Sequence, residues 1–476
     1  MTKLVVVYDD SIKVEGRVKT ILGNKSFGDM VLKRRTMFTR LKKMVQPIKG
    51  VDVVVVKNFD RFDLNIFTSD TIFFHLKASA AVVAPEDFAV LLEKIVFTKN
   101  NILVKNNDMV VGSVLKNRTE YARFLQDYIH QGTFSSVKGD VIDMNIFADL
   151  TDYNTLLMFI SSGFDARFFN SLQGDAYTVT KRSADKKKMK MEYSYYWLLP
   201  DAMKNWMVMP YNYTETENDA SYTMERMPMT DIAIRWTHGA IDNVELRNIL
   251  DKTFYFLAHR VEKKVSGEEY EKTRNCLYVE KVKKRVGELK RKPEYEILAQ
   301  LIKSGTEFDS IDGIVEFYLE LFSKIIKKRK VLPRSVIGHG DVFFANMLYS
   351  KELNLLRLID PKGALTEDDL WTDPYYDVAK LSHSVCGNYD FFNTGSYGIE
   401  LDKDMCFILI VHYNNEKAKE IFKEYLAKNG YDYVLVRLYE ASLFLSMLPL
   451  HIDNIHKVFG FVLNAIGILK EVEANV

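Results

Sequence analysis

Along the first third of the chain the apolar positions come as short unbroken runs, at residues 4–8, 53–56 and 72–76, the last interrupted only by His75. Runs of that length bounded by polar residues read as buried strands. The rhythm then changes, and residues 88–95 carry apolar side chains at helical spacing. Short strands alternating with helices predict an α/β layer over residues 1–150. Two further apolar stretches, 102–104 and 109–112, bracket Asn106, Asn107 and Asp108 and predict a hairpin. From 150 to about 230 the pattern predicts strands at 177–181, 207–211 and 222–227, with a polar loop over 212–221. A helix lies before Pro200, where the helical pattern stops. Beyond 230 the helical period dominates, at 244–259, 314–325, 407–413, 434–448 and 455–469. Lys327, Lys328, Arg329 and Lys330 follow the second of these, cations suited to a helix C-terminus.

Composition narrows the class. A chain of 476 residues, 47% hydrophobic, holds two or three domains with filled cores. A net charge of +1 gives no global field toward nucleic acid or membrane. The basic stretch 281–292 has acidic neighbours and no interleaved aromatic platform, so it reads as a solvated face rather than a nucleic-acid track. Three distant cysteines, Cys276, Cys386 and Cys406, fit reduced thiols. The N-terminus runs directly into a strand, unlike a signal peptide. The most apolar run, 441–450, is about half the length of a membrane span. A soluble cytoplasmic protein is expected, bound to neither nucleic acid nor membrane, with its oligomeric state open.

The candidate chemistry sits between Ser335 and Asp390. Gly338-His339-Gly340-Asp341 is followed by Asn346, and the apolar strand 355–359 ends on Asp360. Phosphoryl transfer needs a carboxylate to receive the acceptor hydroxyl's proton, and an amide and a second carboxylate to hold a metal on the phosphates. Asp341, Asn346 and Asp360 supply those groups. Magnesium takes hard oxygen ligands and keeps several waters, so Asn346, Asp360 and phosphate oxygens form a sufficient set.

These residues, with Asp373-Pro374-Tyr375-Tyr376-Asp377-Val378-Ala379, resemble the aminoglycoside phosphotransferase and choline kinase family. The resemblance implies an α+β, bilobal protein-kinase-like fold, with a small lobe over 151–230 and a helix-rich large lobe over 231–476. It implies transfer from ATP, with magnesium, to a small-molecule hydroxyl. Asp341 would be the catalytic base, Asn346 and Asp360 the metal ligands, and Asp377 a buried brace for the catalytic loop. Gly174 falls in the place of the phosphate-covering loop. Lys181, on a strand face with Tyr177 and Val179, is the expected phosphate-binding lysine, with Arg182 the alternative. Glu192 would pair with that lysine. Backbone groups around Glu225 and Met227 would meet the adenine edge, with Met224 and Met227 as apolar walls. Trp371, His383, Asn388 and Tyr389 lie where the family builds its acceptor pocket, and Lys362 would add positive charge near the phosphates.

Residues 1–150 resemble a sugar-phosphate nucleotidyltransferase in their first strand, the Phe-His-Leu strand and the helix after Pro85. Asp9-Asp10-Ser11-Ile12-Lys13 stands where such enzymes carry a glycine-rich basic loop, and Gly16, Gly23 and Gly28 are isolated. A degenerate or partner-binding domain is therefore expected, with Asp9 and Asp10 as either metal ligands or solvated turn residues. Two alternatives stay open: a non-catalytic nucleotide-binding scaffold, and a bifunctional chain with nucleotidyltransfer in its first domain. The sequence does not identify the acceptor; a sugar, an amino alcohol or a surface-glycan precursor would each fit.

Overall fold

A computed structural model of the chain describes residues 4–32, 34–162, 177–403, 407–411 and 415–476. The chain divides into two compact units, residues 1–175 with 238–240, and residues 176–237 with 241–476. The first unit thus runs past residue 150 and takes in the helix Tyr153–Ser162.

The first unit is built on a six-stranded sheet. Its strands are β1 (Leu4–Asp9), β2 (Val51–Val56), β3 (Ile72–Lys77), β4 (Ile102–Asn106), β5 (Met109–Leu115) and β6 (Asp140–Asp143), in the order β2-β1-β3-β5-β4-β6. β1 runs parallel to both β2 and β3, which explains its unbroken apolar sequence: every side chain from Leu4 to Asp9 is buried. The β4–β5 hairpin forms as the pattern predicts, and Asn107 supplies its turn at φ 55°. The unit also carries helices α1 (Met37–Val45), α2 (Pro85–Ile95) and α3 (Arg118–Gln131). The side chains of α3 bury Tyr121, Phe124, Leu125 and Tyr128 in one core with Val5, Val7 and Phe73.

At the carboxyl end of β1, Asp9 is fully buried and fully engaged. Tyr128 Oη donates to Oδ2 (2.6 Å), His75 Nε2 lies 3.2 Å from the same oxygen, and Ser11 donates through its backbone N–H (3.0 Å) and Oγ (2.6 Å) to Oδ1. Asp10 accepts from Ser26 Oγ (2.6 Å) and the Gly28 N–H (2.7 Å). The expectation of solvated or metal-binding carboxylates at this strand end is corrected. Both side chains are braces that fasten the loop after β1, and protein donors take up their oxygens.

The second unit opens with a three-stranded antiparallel sheet, β7 (Thr178–Ser183), β8 (Pro210–Glu215) and β9 (Ala220–Glu225), in the order β7-β9-β8. Helix α4 (Lys186–Leu198) packs on it through Met189, against Ala220 and Tyr222. Asp185 caps α4 by accepting from the Lys188 N–H. Leu199, extended before Pro200, ends it. The strand expected at 207–211 is displaced: β8 starts at Pro210 and runs into the first part of the expected loop, bulges near Asn212 (φ 50°), and turns where the Thr216 N–H meets the Asp219 carbonyl (2.7 Å). Met207 instead bridges to Leu358.

The rest of the unit is helical around short strands. It contains α5 (Asn243–Ala258), α6 (Lys281–Leu289), α7 (Ile311–Lys328), α8 (Tyr376–Val385), α9 (Tyr433–Met447) and α10 (Ile455–Ala474). The strands are β10 (Arg334–Ile337), β11 (Met347–Ser350) and β12 (Leu355–Leu358), the last two an antiparallel pair. The helix expected over 407–413 is corrected. Phe407–Ile410 is a strand paired with Gly398–Leu401, its aromatic and branched side chains suiting a half-buried ladder. A second correction concerns hydropathy: Tyr433–Leu450 is long and apolar enough to cross a membrane by length and composition. It is 89% buried, packed against α6, α7, α8 and α10, and serves as the central core helix of this unit.

The Asp9 network yields a stability prediction. Burial works against the Asp9 charge, but the hydrogen bond and positive field of His75, with Ser11 and Tyr128, outweigh it and hold the carboxyl below its usual range. Such a group stabilises the fold fully above its unfolded pKa of about 3.9, and that contribution is lost as pH falls through the lower folded value. Asp9→Asn is expected to cost about 2–3 kcal/mol near neutrality, read by urea unfolding. It should also flatten the loss of stability that the unmodified chain suffers on acidification below about pH 4.

Candidate active site

The site grows from a loop that follows β10. Gly338 and Gly340 let the backbone turn inward: Gly340 has φ 81°, and the Lys362 side chain lies where a Cβ would project, 2.6 Å away. The loop is held by Asp377, the second residue of α8, which is wholly buried. Asp377 accepts the Gly340 N–H at Oδ1 (2.7 Å) and the His339 N–H at Oδ2 (3.1 Å). Arg260 Nη1 donates to Oδ2 (2.9 Å), and its Nη2 reaches the Pro374 carbonyl (3.1 Å). His339 Nδ1 accepts the Asp341 N–H (3.3 Å), and burial pushes this imidazole down, so it stays neutral. The Asp341 side chain then faces outward, one-third exposed.

Asn346 brings the next group back to the same place. A short 3₁₀ turn, Phe344–Asn346, folds its amide toward the loop. Asn346 Nδ2 lies 3.1 Å from the Asp341 carbonyl, 3.2 Å from Asp341 Oδ2 and 3.5 Å from the Asp360 carbonyl. That orientation leaves the amide oxygen for another partner. Asp360 follows β12 with φ 54°, a left-handed conformation uncommon outside glycine. Strained positions of this kind cluster at functional sites.

Lys181 on β7 connects these groups to α4. Its Nζ lies 2.6 Å from Glu192 Oε2 and 2.8 Å from Asp360 Oδ1. Burial opposes its charge, and the Asp360 and Glu192 carboxylates more than offset that, holding the ammonium above the ordinary lysine range. Glu192 is buried between Met189 and Tyr195 on the inner face of α4 and also accepts from Tyr222 Oη (3.1 Å). Arg182 points the other way, two-thirds exposed, 3.5 Å from Asp219. Alternation along the strand therefore sends Lys181 inward and Arg182 outward. Tyr195 Oη donates to the Gly338 carbonyl (3.0 Å), tying α4 to the loop after β10.

A cavity behind the Lys181–Glu192 pair is lined by Tyr195, Met207, Tyr222, Met224, Leu358 and Asp360, among others. Of the residues expected to meet adenine, Met224 lines this cavity, while Glu225 and Met227 do not. Glu225 is the exposed end of β9, paired with Thr178, and the Met227 carbonyl is taken by the Met229 N–H (2.8 Å). Gly174 lies outside the described residues.

Asn346 and Asp360 fit a hard cation that retains water. No group of three or more histidine, cysteine or acidic side chains that could hold a metal occurs among the described residues. An ion here would be completed by phosphate oxygens and water, the usual magnesium arrangement.

Of the four acceptor-side candidates, Tyr389 meets the loop through its ring, 5.2 Å from that of Phe343. His383 is a buried core histidine against Phe444 (4.3 Å), driven neutral by burial and by the charge of Lys380. Trp371 sits in the short strand paired with Ile337, under Lys263, and Asn388 accepts from Asn415 Nδ2 (3.1 Å). Sequence reasoning missed Lys380, whose Nζ lies 2.9 Å from Asp341 Oδ1. It follows Asp377 by one turn less a residue on α8, and that helical spacing was the signal. Arg260, on a distant segment, left no such signal.

Removing either member of the buried Asp377–Arg260 pair strands a charge. Asp377→Ala is expected to cost about 3–5 kcal/mol in urea unfolding of the second unit. Arg260→Ala should cost a similar amount, and the double variant less than the sum of the two.

No protein-family model matches the chain, and no curated protein matches it. Solved structures similar to it include an apo thermostable mutant of aminoglycoside phosphotransferase APH(4)-Ia, at TM-score 0.35 and 10% identity over 62% of this chain and 87% of that one. A ternary complex of a thermostable mutant of the same protein with AMP-PNP and hygromycin B gives TM-score 0.37 and 11% identity, over 63% and 88% of the two chains. A complex with ADP and hygromycin B gives 0.36 and 11%, over 62% and 86%.

Proposed function

We propose that the second unit is a phosphotransferase that moves the γ-phosphoryl group of ATP to a hydroxyl of a small molecule, with magnesium. One observation carries this reading: Lys181 joins Glu192 and Asp360 within 2.8 Å, and Asn346 ties Asp360 to Asp341 on the adjoining loop. An anion-binding lysine, its positioning glutamate, two oxygen donors for a cation and a further carboxylate to receive a proton are the parts of a phosphoryl-transfer site.

In this reading Lys181 binds phosphate oxygens, and Glu192 keeps the ammonium aimed at them. Asn346 and Asp360 would hold magnesium, which supplies charge neutralisation on the phosphates. The acceptor hydroxyl is positioned against Asp341. As its oxygen bonds to the γ-phosphorus, the bond to the β,γ-bridging oxygen breaks, the proton passes to the Asp341 carboxylate, and ADP leaves. Rate enhancement comes mainly from alignment and electrostatic stabilisation. The Asp377 brace fixes where Asp341 stands. The described thiols, Cys276 and Cys386, are free, which supports a reducing cytoplasmic setting.

The test is ADP release from Mg-ATP across sugars, polyols, amino alcohols, sugar acids and sugar phosphates. Asp341→Asn is expected to lower acceptor-dependent turnover by about 10²–10⁴-fold with ATP affinity retained. Undiminished turnover in that variant would remove Asp341 from the role of base.

A further inference from the structure

The charge around Asp341 goes beyond what phosphoryl transfer requires. Lys380 stands 2.9 Å from the Asp341 carboxylate. One turn earlier on α8, Tyr376 accepts at Oη from Lys281 Nζ (2.9 Å), and that ammonium also sits 5.3 Å over the Tyr376 ring. Lys281 opens α6, directly after the π-helical stretch Cys276–Glu280. Lys362 lies against Gly340, the residue before Asp341, and its backbone N–H bonds to the His339 carbonyl (3.0 Å). Lys380 thus pairs with Asp341, Lys281 meets the Tyr376 hydroxyl one turn away on the same helix, and Lys362 backs the glycine before Asp341.

The Tyr376 phenol reports the resulting field. It is 3% exposed, and burial alone would push its proton affinity up. Lys380, Lys281 and Lys362 together overcome that burial and bring the phenol below its ordinary value. His383, on the next turn of α8, is pushed down by burial and then by Lys380 and Lys281.

Opposing acids are few. Among the described residues neither Lys281 nor Lys362 has a carboxylate within ion-pair distance. Asp369, which feels Lys362, is occupied in accepting the Leu365 and Thr366 N–H groups (both 3.0 Å). Asp390 is buried, and its carboxyl is pushed up to about 7 by burial and by Asp231.

We propose that the acceptor is an anion: a small alcohol that already carries a phosphate or carboxylate group, bound by Lys281 and Lys380 while its hydroxyl faces Asp341. This rests on the phosphotransferase reading and names its substrate class. An ammonium-bearing acceptor would be repelled by the two lysines at contact distance, whereas an anion gains two charge-assisted bonds. Lys380 has a second use here. Displaced from Asp341 by the acceptor's anionic group, it leaves the carboxylate free to receive the hydroxyl proton.

The experiment measures binding and turnover separately on the full chain. Ligand-observed NMR with the Mg-ADP-loaded protein compares glucose, glucosamine, glucuronate and glucose 6-phosphate, and likewise glycerol, ethanolamine, glycerate and glycerol 3-phosphate. Phosphate and carboxylate members distinguish the two sources of the anion. At least one anionic member is expected to bind at least about tenfold more tightly than its neutral and cationic counterparts. Lys281→Gln should weaken that binding about tenfold or more, and Lys281→Arg should restore most of it. Preference for a neutral or cationic member, anion binding indifferent to Lys281→Gln, or no binding of any anionic member would each overturn the proposal. Failure of the parent reading looks different: no retention of Mg-ADP, and no ADP release from Mg-ATP with any member.

Discussion

One buried carboxylate sets the position of the site. Asp377 has no access to solvent, and its charge is tolerable only because Arg260 and two backbone N–H groups neutralise it. Those N–H groups belong to His339 and Gly340, so satisfying the charge also fixes the path of the loop that ends in Asp341. The loop then fixes Asn346 through the Asp341 carbonyl, and Asn346 reaches the Asp360 carbonyl. Lys181 and Glu192 complete the sequence from the sheet side, while Tyr195 anchors α4 to the same loop. Chemistry at the surface of this unit therefore hangs on an ion pair buried beneath it.

That dependence explains what could be read from the sequence. Asp341, Asn346 and Asp360 were legible because local backbone rules put them on adjoining segments: a glycine-flanked turn, a return after five residues and the end of an apolar strand. Lys181 over Arg182 was legible from alternation along one strand. Glu192 was legible because it sits on the helix that Pro200 ends, where the family resemblance puts a glutamate that pairs with the lysine. Arg260 was not, since nothing local distinguishes an arginine destined for burial from a solvated one. Lys281 was hidden more thoroughly. Its basic neighbours on α6 do face solvent, and only the turn of the helix carries this one lysine toward Tyr376. The strand Phe407–Ile410 was misread for a related reason. A short unbroken apolar run suits helix or strand equally, and the partner strand that decides the matter lies outside the window.

The first unit illustrates how a strand-end carboxylate can change meaning. Asp9 and Asp10 stand at the carboxyl end of a parallel strand, where α/β proteins place ligands. Here their oxygens are consumed by His75, Tyr128, Ser11, Ser26 and Gly28. The position that looks most reactive in the sequence is the one most occupied by the fold itself. Its acids work as internal fasteners of the loops beside them.

The core helix α9 has a further consequence for biosynthesis. Its apolar character is continuous enough to pass for a membrane span, and only the helices packed around it make it a soluble element. One of those is α8, the carrier of Asp377, which leaves the ribosome before α9 is made. Until α9 emerges and docks, α8 lacks its largest apolar support, and the loop bearing Asp341 lacks a firm base. Helices synthesised later thus license a site encoded before them. A nascent chain halted between the two would present a greasy, unclosed core to chaperones rather than a partially formed site.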